Sequence, residues 1–398
     1  MYEAATHGCI VIFKKTSQIS TSPGARYPAS ANYASWRGHQ PFRNRSSRIV
    51  YPSGAIKTGQ EMTQSTVVIS LDLELCWGSF DLSFDDDLLK MGRWTHDVGT
   101  PNLLNHLIRN GISASWAVVG AMMRPSLPDL SGLPEVSYPH FSKPWFSYVP
   151  QEGHELTHPE WFGASLVEMI RSAEPKQEIG FHSFSHVPFG RPGMTRERAV
   201  AEYRYCAQIA QELGIPTTCF VFPRNLVAYL ADLRDAGFTC FRDVDKLPVR
   251  FASNKLTSVG MVLADFAGLS PRMIEPSLKE GIVSIPGSLL IRCAAGWRKY
   301  IPDSSRLRRL RKGLERVRRS GGVFHVWFHP ENLYAEWPRL ENVVARFLEE
   351  LGVLVRNGDL RCLTLGQLAS EFRSQLAAKQ GCNLSPAYTE AGFADFVT

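Results

Sequence analysis

The sequence predicts an α/β fold built on a largely parallel sheet or barrel, and three observations predict it. Short apolar runs alternate with amphipathic stretches over roughly three quarters of the chain, the pattern of repeated strand–helix units. Apolar residues make up 44% of the 398, enough for a sizeable core. Finally, reactive polar side chains fall just after several of the predicted strands, at the carboxyl ends where barrels of this class build their sites.

The elements follow in order. Residues 1–64 are rich in Ser, Gly, Pro, Arg and Thr without periodicity, and read as a disordered N-terminal extension. Met62 lies directly before the first convincing strand and marks an alternative start. Residues 66–71 (TVVISL) are a β-branched apolar run of buried-strand type. Thr100 then reads as an N-cap, with Pro101 at the first helical position and Gly111 as the stop. A strand is expected over 112–119, followed by a Pro-rich excursion over 124–160 that is too long for an ordinary connection and reads as a substrate-side loop. A helix near 164–173 precedes a strand at 178–181. Thr195 caps a long helix ending at Gly214, and 217–222 is a strand. A helix over 226–236 stops at Gly237, and 238–241 is the next strand. The basic stretch 305–319 reads as a helix leading through Gly321 and Gly322 into a strand at 323–328, and a helix follows over 339–354. These boundaries imply one main domain over 65–375 and a weakly structured tail over 376–398.

Composition removes several classes. With 44 basic and 38 acidic residues the net charge is +6, which argues against a dedicated nucleic-acid binder. The eight cysteines form no close cluster, so they read as buried free thiols in a reducing compartment. No apolar run is long enough to span a bilayer, and Lys14 and Lys15 end the short apolar run at 9–13, so nothing there resembles a secretory signal. The expectation is a cytoplasmic protein without an integral membrane segment.

His182 and His186 are spaced i, i+4, a spacing that lets two imidazoles meet one metal ion, although a hydrogen-bonded pair in a loop has the same spacing. Asp72 and Glu74 alternate at the end of the first strand. One carboxylate can complete a two-His, one-carboxylate metal set, and the other can serve as general base. Both also fit a strand-end turn.

Four segments together resemble the polysaccharide deacetylases with a NodB-homology domain: SLDLELCWG (70–78), GFHSFSH (180–186), VFPRN (221–225) and FHVWFHPENL (324–333). The resemblance runs from about residue 66 to about 372, with the motifs in family order. It implies a distorted, incomplete (β/α) barrel and a metal-dependent hydrolase that removes acetyl groups, mainly N-acetyl, from an amino sugar or polysaccharide. It also implies Asp72 as base, His182 and His186 as metal ligands, Arg224 as the residue orienting the base, and His329, rather than His325, as general acid. The commonest first motif of the family has two adjacent aspartates. Leu73 stands at the second of these, so the third ligand falls on Glu74, as in relatives with an Asp-x-Glu motif. The third motif departs from the common Arg-Pro-Pro-Tyr. The expected cofactor is a divalent metal ion, zinc first. Trp77 and Asn225 are the candidates for substrate contact, Trp77 by stacking on a sugar ring, though core packing suits it equally.

Rival signals remain. The segment HELTH, from His154 through Glu155 to His158, matches the zincin pattern of a zinc peptidase, but Pro159 biases His158 away from helical geometry. The stretch from Arg306 to Arg319 fits the solvated face of an outer helix with Leu307, Leu310, Leu314 and Val317 inward, or else a peripheral contact with an anionic membrane surface. The run from Asp85 to Asp87 reads as a solvated loop. A carbohydrate-binding barrel without catalysis, or a different amide-bearing substrate, would keep the same fold.

Overall fold

A computed structural model describes residues 65–245, 254–294, 296–337 and 339–379. The expected extension over 1–64 and most of the expected tail lie outside the described residues. Ten strands form one sheet: β1 (Thr66–Leu73), β2 (Ser115–Val118), β3 (Glu178–Phe181), β4 (Cys219–Val221), β5 (Cys240–Asp243), β6 (Ser277–Lys279), β7 (Ile282–Pro286), β8 (Leu289–Leu290), β9 (Val323–Phe328) and β10 (Arg361–Leu363). Their order is β6-β7-β5-β4-β3-β2-β1-β9-β8, and β10 pairs with β1 alongside. Every pairing is parallel except β6 with β7.

The sheet curls into an incomplete barrel. β1 is its centre: β9 runs along one edge, while β10 (at Thr66) and β2 (from Ser70) share the other. All eight residues of β1 are buried, the expected state of a parallel strand covered on both faces. The two ends of the sheet approach each other where β7 passes into β8, and His325 of β9 donates from Nδ1 to the carbonyl of Pro286 at 2.8 Å.

Helices α1 (Asp86–Trp94), α2 (Thr100–Asn110), α3 (Ala164–Arg171), α4 (Arg196–Leu213), α5 (Leu230–Asp235), α6 (Asn254–Ala267), α7 (Asp303–Ser320), α8 (Arg339–Arg356) and α9 (Leu365–Lys379) surround the sheet. The long α4 is bounded as its sequence predicts: Thr195 accepts from the Arg198 N–H at 3.2 Å, and Gly214 takes the left-handed conformation at φ 62°. On α7, Leu307, Leu310, Leu314 and Val317 are buried as their spacing predicts. Many of the cations on that helix are engaged within the fold, Arg309 by Asp265, Arg311 by Glu350 and Arg319 by Glu315.

Three local expectations change. The acidic run is a helix start, not a loop: Asp85 accepts from the Leu88 N–H at 3.0 Å and caps α1. Thr100 is not a cap, because helical backbone runs through a π turn at Thr95–Gly99 into α2. That wider turn lies just before Pro101, which has no N–H to offer the preceding turn. The helix expected from 226 begins only at Leu230, because Arg224, Asn225 and Tyr229 all have φ between 54° and 57°. Among the described residues no helix is long and apolar enough to cross a membrane.

Candidate metal centre and active site

The site forms where β1, β3, β5 and β9 end. Alternation along β1 explains the first motif. Asp72 and Glu74 are two residues apart and serve one side of the strand, while Leu73 between them is fully buried in the hydrophobic core. An aspartate at 73 would point its charge into that core, and the second carboxylate stands one residue further on. Backbone at Leu75 then turns sharply (φ 50°), and Glu331 accepts from the N–H groups of Glu74 and Leu75 at 2.9 and 2.5 Å. Gly78 keeps room for the Glu74 side chain, since a Cβ there would stand 1.9 Å from Glu74 Oε2.

His182 follows β3. Its Nδ1 lies 2.8 Å from the Val221 carbonyl, which can only accept, so the proton is on Nδ1. In the neutral ring the Nε2 lone pair therefore faces outward, and it meets Glu74 Oε1 at 2.8 Å. His186 Nε2 lies 3.2 Å from the same oxygen. Burial keeps the His186 pKa below its ordinary value despite the neighbouring carboxylate. Burial also acts to raise the Glu74 pKa, but His329, then His186 and His182, hold it well below the usual carboxylate range. Two nitrogens and one carboxylate oxygen, all buried and within 4.8 Å of one another, are a donor set that a cation fits. The N, N, O composition suits zinc and its neighbours.

Asp72 has a different partner. Both of its oxygens receive Arg242 of β5, Nη1 to Oδ1 and Nη2 to Oδ2, each at 2.5 Å. Burial opposes the charge on Asp72, but Arg242, His182 and His329 outweigh it and hold the carboxyl below its usual value. The guanidinium also lies over the Trp327 ring, 4.0 Å from its centroid, and the Trp327 indole N–H donates to Asp245 at 3.0 Å. Asp72, Glu74 and His329 form a second possible ligand group. Arg242 already neutralises Asp72 there, so Glu74, His182 and His186 are the better fit for a cation.

His329 follows β9 and faces both carboxylates, Nε2 lying 3.4 Å from Glu74 Oε1 and 3.6 Å from Asp72 Oδ2. The Asn332 side-chain amide lies 3.2 Å from its Nδ1, and Nε2 is the nitrogen that faces the carboxylates. Burial disfavours the charged ring, but Glu74 and Asp72 outweigh it, and the pKa is pushed up to about 9. His325 is a core residue. It bonds Pro286 and Ser70 at 2.8 Å each, and burial with the nearby Arg242 pushes it down to about 3.

Several site expectations are corrected. Arg224 does not hold Asp72; it pairs with Asp81 at 2.5 Å, whose other oxygen meets His140 Nε2 at 2.8 Å. The left-handed turn at Arg224 and Asn225 carries its guanidinium to Asp81, and Arg242 supplies the bidentate contact instead. Trp77 cannot stack on a sugar. It is fully buried, donates to the Trp161 carbonyl at 2.9 Å and packs edge-on against Phe80, Phe146 and Trp161. Asn225 accepts from Arg242 Nη2 at 3.2 Å, so it braces the arginine. The zincin reading also fails on geometry. Residues 154–158 form turns rather than a helix, Glu155 is taken by His96 and Ser165, and His158 faces Glu160. Sequence reasoning missed Arg242, Asp245, Glu331 and Asn332. The signal for Arg242 and Asp245 was present, since RDVD is a polar run directly after a predicted strand.

No family model and no curated protein matches the chain. Solved structures do. A Mycobacterium smegmatis protein assigned to the polysaccharide deacetylases superposes with a TM-score of 0.52 at 14% identity, covering 81% of this chain and 96% of its own. A Pseudomonas aeruginosa protein of the same assignment gives 0.51 at 9% identity, covering 79% and 92%. At such identities the likeness concerns backbone alone, and on that ground the chain has the distorted, incomplete (β/α) barrel fold of the NodB-type polysaccharide deacetylases.

Proposed function

We propose that this protein is a metal-dependent deacetylase that hydrolyses the N-acetyl group of an amino sugar or polysaccharide, with zinc held by Glu74, His182 and His186. The observation that carries the reading is the convergence of two opposed proton carriers on one donor set. Asp72, bonded through both oxygens to Arg242, faces His329 Nε2 at 3.6 Å, and the same nitrogen lies 3.4 Å from Glu74 Oε1.

When bound, the metal would polarise the acetyl carbonyl and acidify a water. Asp72 accepts the proton that the attacking water gives up. Arg242 occupies one lone pair of each Asp72 oxygen and leaves another free, so it keeps the base anionic without blocking it. His329 gives its Nε2 proton to the departing amine. Low water access around these buried groups strengthens each charge interaction. Cys76, Cys206, Cys219 and Cys240 are buried thiols outside any disulfide, which supports a reducing compartment.

Acetate release from a panel of N-acetylated glycans, with and without chelator, tests the proposal. Activity lost with chelator, and in Asp72→Asn and His182→Ala, supports it. Metal binding without acetate release from any glycan points instead to a binding barrel.

A further inference from the structure

The turn between the two histidines is held by a buried ion pair that the reaction does not use. Ser183 and His186 have φ of 55° and 59°, a conformation that non-glycine residues adopt at a cost and keep only when their surroundings enforce it. Every side of the turn is tied. Glu202 of α4 accepts from the N–H groups of Phe184 and Ser185 at 2.9 Å each and from the Ser185 hydroxyl at 2.5 Å. Arg198, one turn earlier on the same helix, donates from Nε to Glu202 at 2.9 Å and from Nη2 to Ser185 Oγ at 2.9 Å. The carbonyls of Ser183, Phe184 and Ser185 accept from Gly120 at 2.8 Å, Ala121 at 2.7 Å and the Trp145 indole at 2.8 Å. Ser183 Oγ accepts the His186 N–H at 2.9 Å.

Arg198 and Glu202 are both 1% exposed or less. A buried pair of this kind is weak evidence for stability, since apolar residues of similar volume often serve as well. Its position explains it better. It grips the segment that sets the separation of His182 and His186.

We infer that Arg198 and Glu202 are positioning residues that preform the metal loop, so that binding the ion requires no ordering of the turn. The inference rests on the metal reading of Glu74, His182 and His186. Partners one layer beyond a ligand commonly change metal affinity by about 10–100-fold.

Zinc affinity, measured on the full chain by competition with a chromophoric chelator, tests it. The paired variant Arg198→Met/Glu202→Gln leaves no buried unpaired charge, and Ser185→Ala removes one leg of the clamp while keeping the pair. The paired variant is expected to bind zinc about 10–100-fold more weakly, and Ser185→Ala to fall between it and the wild type. The comparison variant is Glu178→Gln, a half-buried carboxyl bonded to Ser115 and Gly366 at the opposite end of β3, which should keep wild-type affinity. Exchange of the Phe184 and Ser185 amides in metal-free protein should accelerate in the two clamp variants alone. Wild-type zinc affinity in both folded clamp variants overturns the inference and leaves the metal reading standing. Equal weakening in Glu178→Gln overturns it too, by showing a general loss of stability. A wild-type chain that binds no zinc overturns the metal reading and the inference with it.

Discussion

Replacing Arg242 with methionine removes the cation facing Asp72 while retaining much of the side chain's apolar length. Both partners are 1% exposed, the contact is bidentate at 2.5 Å, and Arg242 is the one arginine or lysine against Asp72 among the described residues. Removing one member of such a pair leaves an uncompensated buried charge, at about 3–5 kcal/mol. At roughly 2 °C per kcal/mol for a chain of this size, thermal unfolding should shift down by about 6–10 °C. The double variant Asp72→Asn/Arg242→Met should recover a large part of that loss, because no lone carboxylate remains. Acetate release by Arg242→Met, assayed well below its melting temperature, should fall by about 10²-fold or more, since burial then favours a protonated base. Arg224→Met separates this reasoning from the alternative expected from the third motif. It breaks the Asp81 pair but leaves Asp72 held, so its rate per folded molecule should fall far less. A melting point for Arg242→Met within about 2 °C of wild type, or equal rate losses in the two variants, would refute the assignment.

Gly78→Ala should weaken zinc binding by about 10–100-fold in the chelator competition while the fold persists. The new Cβ would stand 1.9 Å from the end of the flexible Glu74 side chain, and the carboxylate is what gives way. Unchanged affinity would mean Glu74 is no ligand. Asp85→Ala should cost about 1 kcal/mol in thermal melts through loss of the α1 cap, with zinc binding untouched. His154→Ala should leave acetate release at the wild-type level, since among the described residues this exposed ring accepts only from the Leu156 N–H; lost activity would place 154–158 in the site after all.

Much of this was open to a linear reading because it depends on local rules. The β-branched run of β1, the Thr195 cap and the Gly214 stop each act within a few residues, and the elements they predict are present. Strand ends carry polar residues only where something uses them, and that rule picked out Asp72, Glu74, His182, His186 and His329. It would also have found Arg242, had RDVD been read in the same way. The shift from Leu73 to Glu74 is likewise a local matter, since period-two alternation puts Glu74 and Asp72 on one side.

Contacts between distant parts of the chain lay beyond that reach. Which arginine meets Asp72 depends on how β4 and β5 lie in the sheet and on two left-handed residues that swing Arg224 towards Asp81, 143 positions away in sequence. Trp77 reads alike as a sugar platform or a core residue, and only the aromatic cluster around it decides for the core. The sequence by itself therefore determined the fold class and most of the chemical groups at the barrel mouth, because periodicity and strand ends are written along the chain. The tertiary structure alone decided how those groups are paired, because a buried charge takes the partner that packing brings to it.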